Sequence, residues 1–300
     1  MNVEKSFLKT IKEFNLIQPK DKILVAYSTG VDSSVLTYLL LKFKNYLKID
    51  EIVLAYLNHK IRPESDKEEE FAINFAKSLN IEIYTKKVDV KRIANELKKS
   101  VEQVGREERY KFFKQISQEK GLNKIATGHH LSDLAETMTL WFIQGNKNGL
   151  KGFRPREKNV IRPLYLIKKE EIYKYAKEKD INFNEDYTNY SLDYMRNKIR
   201  HEIIPKIKEI NPSFEKSMLN LSYFLNIDEC YFKEFLLNFN FDTDFIDIKQ
   251  FKNDALFYRI IDDWVYRKTM CKLSYQQIKD IIKLKDKKGS KKIKICDNYL

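Results

Sequence analysis

A doubly wound parallel α/β sheet, with a helical linker and a small C-terminal domain, is the architecture this sequence predicts. Three observations carry that expectation. In the first half, apolar runs of strand length alternate four times with stretches of helical periodicity. The first, second and fourth runs each end in a cluster of small or polar residues, where parallel sheets bind ligands. Beyond Pro212 the pattern becomes helical and Phe-rich.

Taken in order, Val3, Phe7, Leu8, Ile11 and Phe14 mark an amphipathic helix able to cover the sheet. Residues 23–27 form a first buried strand. A turn, Ser28-Thr29-Gly30-Val31-Asp32-Ser33, leads into a helix whose apolar residues are Val35, Leu36, Leu39, Leu40 and Phe43. Strand, small-residue loop and helix together make a phosphate site, because free N–H groups and the positive helix end face the ligand. Ser28 and Ser33 add hydroxyl donors. Asp32 repels bare phosphate, so its place there suits a bridging divalent cation. The loop is not a Walker A sequence, since it lacks the Gly-Lys-Ser/Thr ending.

Residues 51–57 read as a second strand, ending in Asn58-His59-Lys60-Ile61-Arg62-Pro63, and 66–79 as a helix. A third strand covers 81–88, with helices over 91–98 and 101–120; in the latter, Arg106 and Arg109 share a face. The fourth strand, 123–127, runs into Gly128-His129-His130-Leu131-Ser132-Asp133 and a helix reaching about Gln144. Ser132 or Asp133 suits its N-cap, and Asp133 and Glu136 fall on one face of the first turn. No cysteine or further histidine completes a zinc set with His129 and His130. Residues 145–153 read as a mobile Gly-rich loop, 161–164 as extended and 168–179 as a helix. From 195 to 208, Arg196, Lys198, Arg200, Lys206 and Lys208 face a single acid, Glu202, with Tyr187, Tyr190 and Tyr194 beside them. Basic charge interleaved with aromatics suits phosphate contact and base stacking. A turn-rich junction at 241–251 precedes helices over 254–268 and 274–284, and residues 283–294 carry seven lysines and one acid.

The formal charge is +13 with a pI near 9.3, which favours a polyanionic partner, nucleic acid before membrane. The three cysteines form no C-x-x-C pair, which disfavours a zinc ribbon or an iron–sulfur site. The N-terminus lacks a signal-peptide apolar core and no run reaches membrane-spanning length, so a soluble cytoplasmic protein is expected.

The turn at 28–33 resembles the SGGxDS loop of the ATP pyrophosphatases, which cut ATP into AMP and pyrophosphate. That loop, LNHKIRPES, GREERYKFF, ATGHHLSDLAET, GLKGF, VIRPL and DYTNYSLDYMRNKIRHEIIP occur in order. Together they resemble the tRNA(Ile)-lysidine synthetase family of PP-loop, N-type ATP pyrophosphatases over residues 22 to about 208.

The resemblance implies an adenine-nucleotide-hydrolase-like, Rossmann-like catalytic domain at 1–208 and a mostly helical tRNA-contacting domain at 209–300. It implies ATP with Mg²⁺, free L-lysine and tRNA(Ile) with a CAU anticodon as reactants, no membrane partner, and room for a homodimer. Residue by residue, Ser28, Thr29, Gly30, Val31, Asp32 and Ser33 become the ATP loop. Asp32, Arg109, His129, Asp133 and Glu136 become catalytic, with Asp133 and Glu136 to hold and deprotonate the amine. Arg196, Lys198 and Arg200 contact tRNA. Asp32 holds Mg²⁺, with Asp133 a second candidate ligand. The chain departs from the family pattern at Thr29 (usually Gly), Ser132 (usually Asp) and Leu134 (usually Gln). Two rivals stay open: another ATP-pyrophosphatase enzyme, such as a tRNA thiolase or small-molecule amide ligase, and a catalytically inactive tRNA-binding protein.

Overall fold

The computed structural model describes residues 2–61, 65–184, 195–286, 294–295 and 298–299. Helix α1 (Val3–Glu13) starts at Asn2, whose side chain accepts from the Glu4 and Lys5 amides. Strand β1 (Lys22–Ala26) feeds α2 (Val31–Lys42), and a four-residue turn α3 (Lys44–Leu47) returns to β2 (Glu51–Asn58). Then follow α4 (Ser65–Ser78), β3 (Ile83–Lys87), α5 (Val90–Leu97), α6 (Val101–Lys120), β4 (Lys124–Ala126) and α7 (Leu131–Ile143). A short α8 (Lys147–Leu150) precedes β5 (Arg156–Glu157), β6 (Val160–Ile161) and α9 (Lys169–Glu178).

The six strands order as β3-β2-β1-β4-β6-β5, all pairs parallel except β5 with β6. Strand order reverses direction between β1 and β4, so the carboxyl ends of these two strands border the crevice where such sheets take ligands.

Alternation along the central strands builds two cores. Ile23, Val25, Ile52 and Leu54 join a layer with α1, α2, α4 and α9, while Leu24, Val53, Ala55 and Leu57 face α5 and α6 on the other side. That is why β1 and β2 read as continuous apolar runs rather than alternating ones. The expected parallel α/β sheet is thus present, extended by β6 and by the antiparallel edge strand β5.

The glycine-rich stretch was expected to be a mobile loop, but it holds α8 and packs tightly. A Cβ on Gly149 would stand 2.3 Å from the Trp141 ring, and one on Gly152, at φ +68°, 2.4 Å from Leu134 Cδ1. These glycines serve close approach.

Past the tyrosine-rich stretch, α10 (Met195–Lys198) continues through a π-helical turn (Ile199–Ile203) into α11 (Ile204–Ile210). Pro205 has no N–H to return to the preceding turn, and the Ile204 amide reaches back to the Ile199 carbonyl instead. Helix α12 (Phe214–Leu237) follows.

The chain forms two compact units, residues 1–223 and 224–300. The second has its own core, in which Phe257, Ile260, Trp264 and Val265 of α13 (Asp254–Thr269) pack with Phe241 and Leu273. A further helix, α14 (Tyr275–Ile282), completes it. No helix among the described residues is long and apolar enough to cross a membrane.

Candidate active site

The phosphate-type loop is held by its own hydroxyls. Ser33 Oγ donates to the Gly30 carbonyl (3.0 Å), accepts from the Ser28 amide (3.1 Å) and lies 3.2 Å from Ser28 Oγ. Gly30, the N-cap of α2, has no side chain to satisfy the first-turn amides, which leaves them for an anion. Thr29 is buried and sits at φ +63°, in the left-handed region that β-branched residues avoid. The Asn184 amide anchors its carbonyl at 2.9 Å. Gly128, after β4, allows close approach from the other side, since a Cβ there would lie 3.1 Å from the Asp32 backbone carbon and Cβ.

Asp32 is not alone at this helix end. Lys169 Nζ, from the first residue of α9, donates to both its carboxylate oxygens at 2.7 Å. His130 Nε2 stands 3.6 Å from Asp32 Oδ1 and 3.4 Å from Asp133 Oδ2.

The N-cap of α7 is His130, not Ser132 or Asp133 as expected. Its Nδ1 accepts from the Asp133 amide (3.2 Å), and the Asp133 carboxylate accepts from the His130 amide (3.1 Å), a reciprocal capping box. With Nδ1 used as acceptor, the neutral ring carries its proton on Nε2, facing both carboxylates. Burial works to raise the Asp133 pKa. Its interactions with His130, His129, Arg196 and Arg200 outweigh burial and hold the group well below the usual carboxylate range.

His129 looks the other way. Its Nδ1 lies 2.8 Å from Thr127 Oγ1 and its ring packs edge-on against Phe153, which in turn lies under Arg162. Burial pushes its pKa down to about 4, against the opposing pull of Asp133.

Two arginines close over the acidic face of α7. Arg200 forks onto Glu136, and Arg196 Nε reaches Glu136 Oε2 at 3.3 Å. Both guanidinium groups also approach Asp133 Oδ1, at 3.4 and 3.5 Å. Lys198 and Lys206 on the same segment are exposed. Ile199 and Ile204 pack with Ala135 and Phe214 beneath these ion pairs.

Ser132 donates to the buried carboxylate of Glu215 and accepts from the Lys169 amide at 3.1 Å. Lys208 and Lys168 flank Glu215 at 3.3 and 3.5 Å.

Arg109 stands apart from this cluster. Its Nη2 lies 3.4 Å from His59 Nε2, just past the end of β2. Because β1 and β2 are parallel neighbours, this pair shares the carboxyl edge with the phosphate loop. Burial and the Arg109 charge lower the His59 pKa to about 4, so the ring is neutral near pH 7. Arg62, Tyr187, Tyr190, Tyr194 and most of the lysine-rich stretch lie outside the described residues.

A PP-loop domain family matches residues 1–207. The tRNA(Ile)-lysidine synthase of Persephonella marina is 52% identical over 99% of this chain and 67% of its own length. The chain belongs to the tRNA(Ile)-lysidine synthase family.

A second lysidine synthase, from Petrotoga mobilis, is 40% identical over 73% of this chain and 70% of its own. The Thermosipho africanus lysidine synthase is 46% identical, but this chain spans only 50% of it. Among solved structures, a U34-tRNA thiolase from Methanococcus maripaludis superposes with a TM-score of 0.60 at 19% identity. It covers 75% of this chain and 78% of its own, a likeness of fold alone.

Within the lysidine synthase family, the motif departures acquire physical content here. Thr29 takes the left-handed conformation despite its branching. Ser132, where the family usually has Asp, faces the buried Glu215, so an aspartate there would meet a second carboxylate. Sequence reasoning missed His130, Lys169 and Glu215. His130 was passed over for its neighbour, because a one-residue choice of N-cap decides which ring turns inward. Lys169 and Glu215 reach the site from 137 residues beyond Asp32 and 83 beyond Ser132, with no local signal.

Proposed function

We propose that this chain uses ATP to join free L-lysine to C2 of the wobble cytidine in tRNA(Ile) bearing a CAU anticodon. The C2 oxygen attacks the α-phosphorus and pyrophosphate leaves. The ε-amine of lysine then adds at C2 and expels AMP. The product, lysidine, changes decoding from AUG to AUA. The observation that carries this reading is the convergence of Asp32, His130 and Asp133 beside the open N-terminus of α2, with a basic helical segment docked on the same turn of α7.

Each part has a chemical task. The first-turn amides of α2 and the Ser28 and Ser33 hydroxyls receive phosphate oxygens. The Lys169 ammonium sits ready to meet the charge of a departing pyrophosphate.

No group of three His, Cys, Asp or Glu side chains that could hold a metal occurs among the described residues. Magnesium suits the site nonetheless, since it takes one or two carboxylates and completes its shell with phosphates and water. Asp32 would hold it once the Lys169 ammonium moved off that carboxylate, and it would neutralise phosphate charge.

The attacking amine has a pKa of about 10.4 in water, so it arrives as an ammonium and must shed a proton. The Asp32 carboxylate already binds one primary ammonium, that of Lys169, at 2.7 Å. The same acidic pocket therefore suits a substrate ammonium. Asp133 reaches the same pocket through His130 and adds negative charge there, whereas both Glu136 oxygens are taken by arginine.

The test is pyrophosphate release with ATP and tRNA(Ile) present. It should depend on the tRNA and vanish in Asp32→Ala while tRNA binding persists. Release at the same rate without tRNA would overturn the proposal.

A further inference from the structure

Ser132 is the midpoint of a continuous run of contacts. Its hydroxyl gives its single proton to Glu215 and takes the amide proton of Lys169 at 3.1 Å. Lys169 is the residue whose ammonium holds both oxygens of Asp32. At the other end, Glu215 opens α12, is 2% exposed and is flanked by Lys208 of α11 and Lys168, the N-cap of α9. A buried carboxylate with three polar neighbours is a fixed point, because withdrawing it strands charge away from water. A hydroxyl that donates to a carboxylate is polarised and accepts more strongly in turn.

We infer that Glu215 is a positioning residue for the catalytic turn: through Ser132 it fixes the backbone of Lys169 and so aims the Lys169 ammonium at Asp32. Glu215 touches no reacting atom. It lies on the segment that follows the basic helices, so the run also ties the docking of α10–α11–α12 to the state of the phosphate loop. The catalytic consequence rests on the function proposed above; the contacts themselves do not.

The direct readout is the reactivity of one amine. Full-length protein is labelled with dilute trinitrobenzenesulfonate, and the rate at Lys169 is compared, by peptide mapping, with that at the exposed Lys174 of the same helix. In the wild type Lys169 should label slowly, and Asp32→Asn should release it. Ser132→Ala and Glu215→Ala should speed its labelling at least threefold. Ser132→Thr and Glu215→Gln, which keep a hydroxyl and an acceptor, should restore protection. Should Glu215→Ala fail to fold, Ser132→Ala, which removes one hydroxyl, carries the test.

Unchanged labelling in folded Ser132→Ala, or in Asp32→Asn, would overturn the inference. A kinetic arm follows tRNA-dependent pyrophosphate release. Ser132→Ala should lower kcat at least fivefold with the KM for ATP within twofold, and the double variant Ser132→Ala/Glu215→Ala should be no worse than the weaker single one. Multiplying losses would also overturn the inference. A wild type with no tRNA-dependent release would defeat the functional reading alone, since labelling would still decide whether Glu215 aims Lys169.

Discussion

Arg200 grips Glu136 through two hydrogen bonds, Nε to Oε1 at 2.7 Å and Nη2 to Oε2 at 2.8 Å. Glu136 is 3% exposed, and Arg196 adds a third bond at 3.3 Å. From sequence, the arginines were expected to contact tRNA and Glu136 to serve the amine. In the fold they satisfy one another and clamp the basic segment onto α7. Forked arginine–carboxylate pairs combine charge with fixed geometry, which a lysine cannot reproduce.

Removing the arginine should therefore cost more than a surface ion pair. Arg200→Ala leaves a buried carboxylate short of its main partner, and a loss of about 3–5 kcal/mol is expected. Arg200→Lys should recover only part of it. Urea denaturation measures both. A loss below about 1 kcal/mol for Arg200→Ala would mean the pair behaves as a solvated surface contact.

Thr29→Gly should relieve strain. A branched residue in the left-handed region costs about 1–2 kcal/mol, and glycine gives back part of that as chain entropy. A net gain of up to about 1 kcal/mol is expected, seen as a raised Tm, with a lower KM for ATP as the backbone approaches phosphate more closely. A lowered Tm would mean that the Thr29 side chain contributes more through its buried contacts than its backbone costs.

Gly128→Ala tests the close approach between the loop after β4 and the start of α2. The added methyl would stand 3.1 Å from Asp32 atoms and 3.2 Å from the Ser33 amide nitrogen, so one loop must shift by a few tenths of an ångström. Misplacing reacting groups costs rate far more than stability. We expect at least a tenfold loss in adenylation with a Tm change of only a few degrees. Full activity in this variant would show that the two loops move independently.

The fold was legible because each central strand is buried on both faces. Ile23, Leu24 and Val25 alternate between two cores, and such runs announce parallel strands. Two-residue strands such as β5 and β6 carry no pattern, and α8 was hidden among glycines that exist to let Trp141 and Leu134 pack close. The phosphate loop and the acidic turn at Asp133 could be read as motifs, being local in the chain. Which of His129 and His130 turns inward could not, since a one-residue choice of N-cap decides it. Lys169 and Glu215 come to the site by tertiary packing alone.

Stability should also follow the protonation of His129. Burial keeps the ring neutral in the fold down to about pH 4, whereas the unfolded chain takes up a proton near pH 6.5. Acid thus favours the unfolded chain between these values. The His129 contribution is level above about pH 6.5 and falls as pH drops toward 4, by on the order of 3 kcal/mol at most. His129→Asn should shrink the Tm difference between about pH 7.5 and about pH 5. His59, displaced the same way by burial and Arg109, should leave part of it in place. An unaltered pH profile in His129→Asn would show that the ring is hydrated.

The most direct test follows labelled lysine into tRNA. With ATP, the chain should transfer lysine to tRNA(Ile) bearing a CAU anticodon and leave a tRNA with uridine at the wobble position unlabelled. Asp133→Asn should slow transfer at least tenfold while the protein stays folded. Equal labelling of both tRNAs, or none of either by protein that releases pyrophosphate normally, would contradict the account.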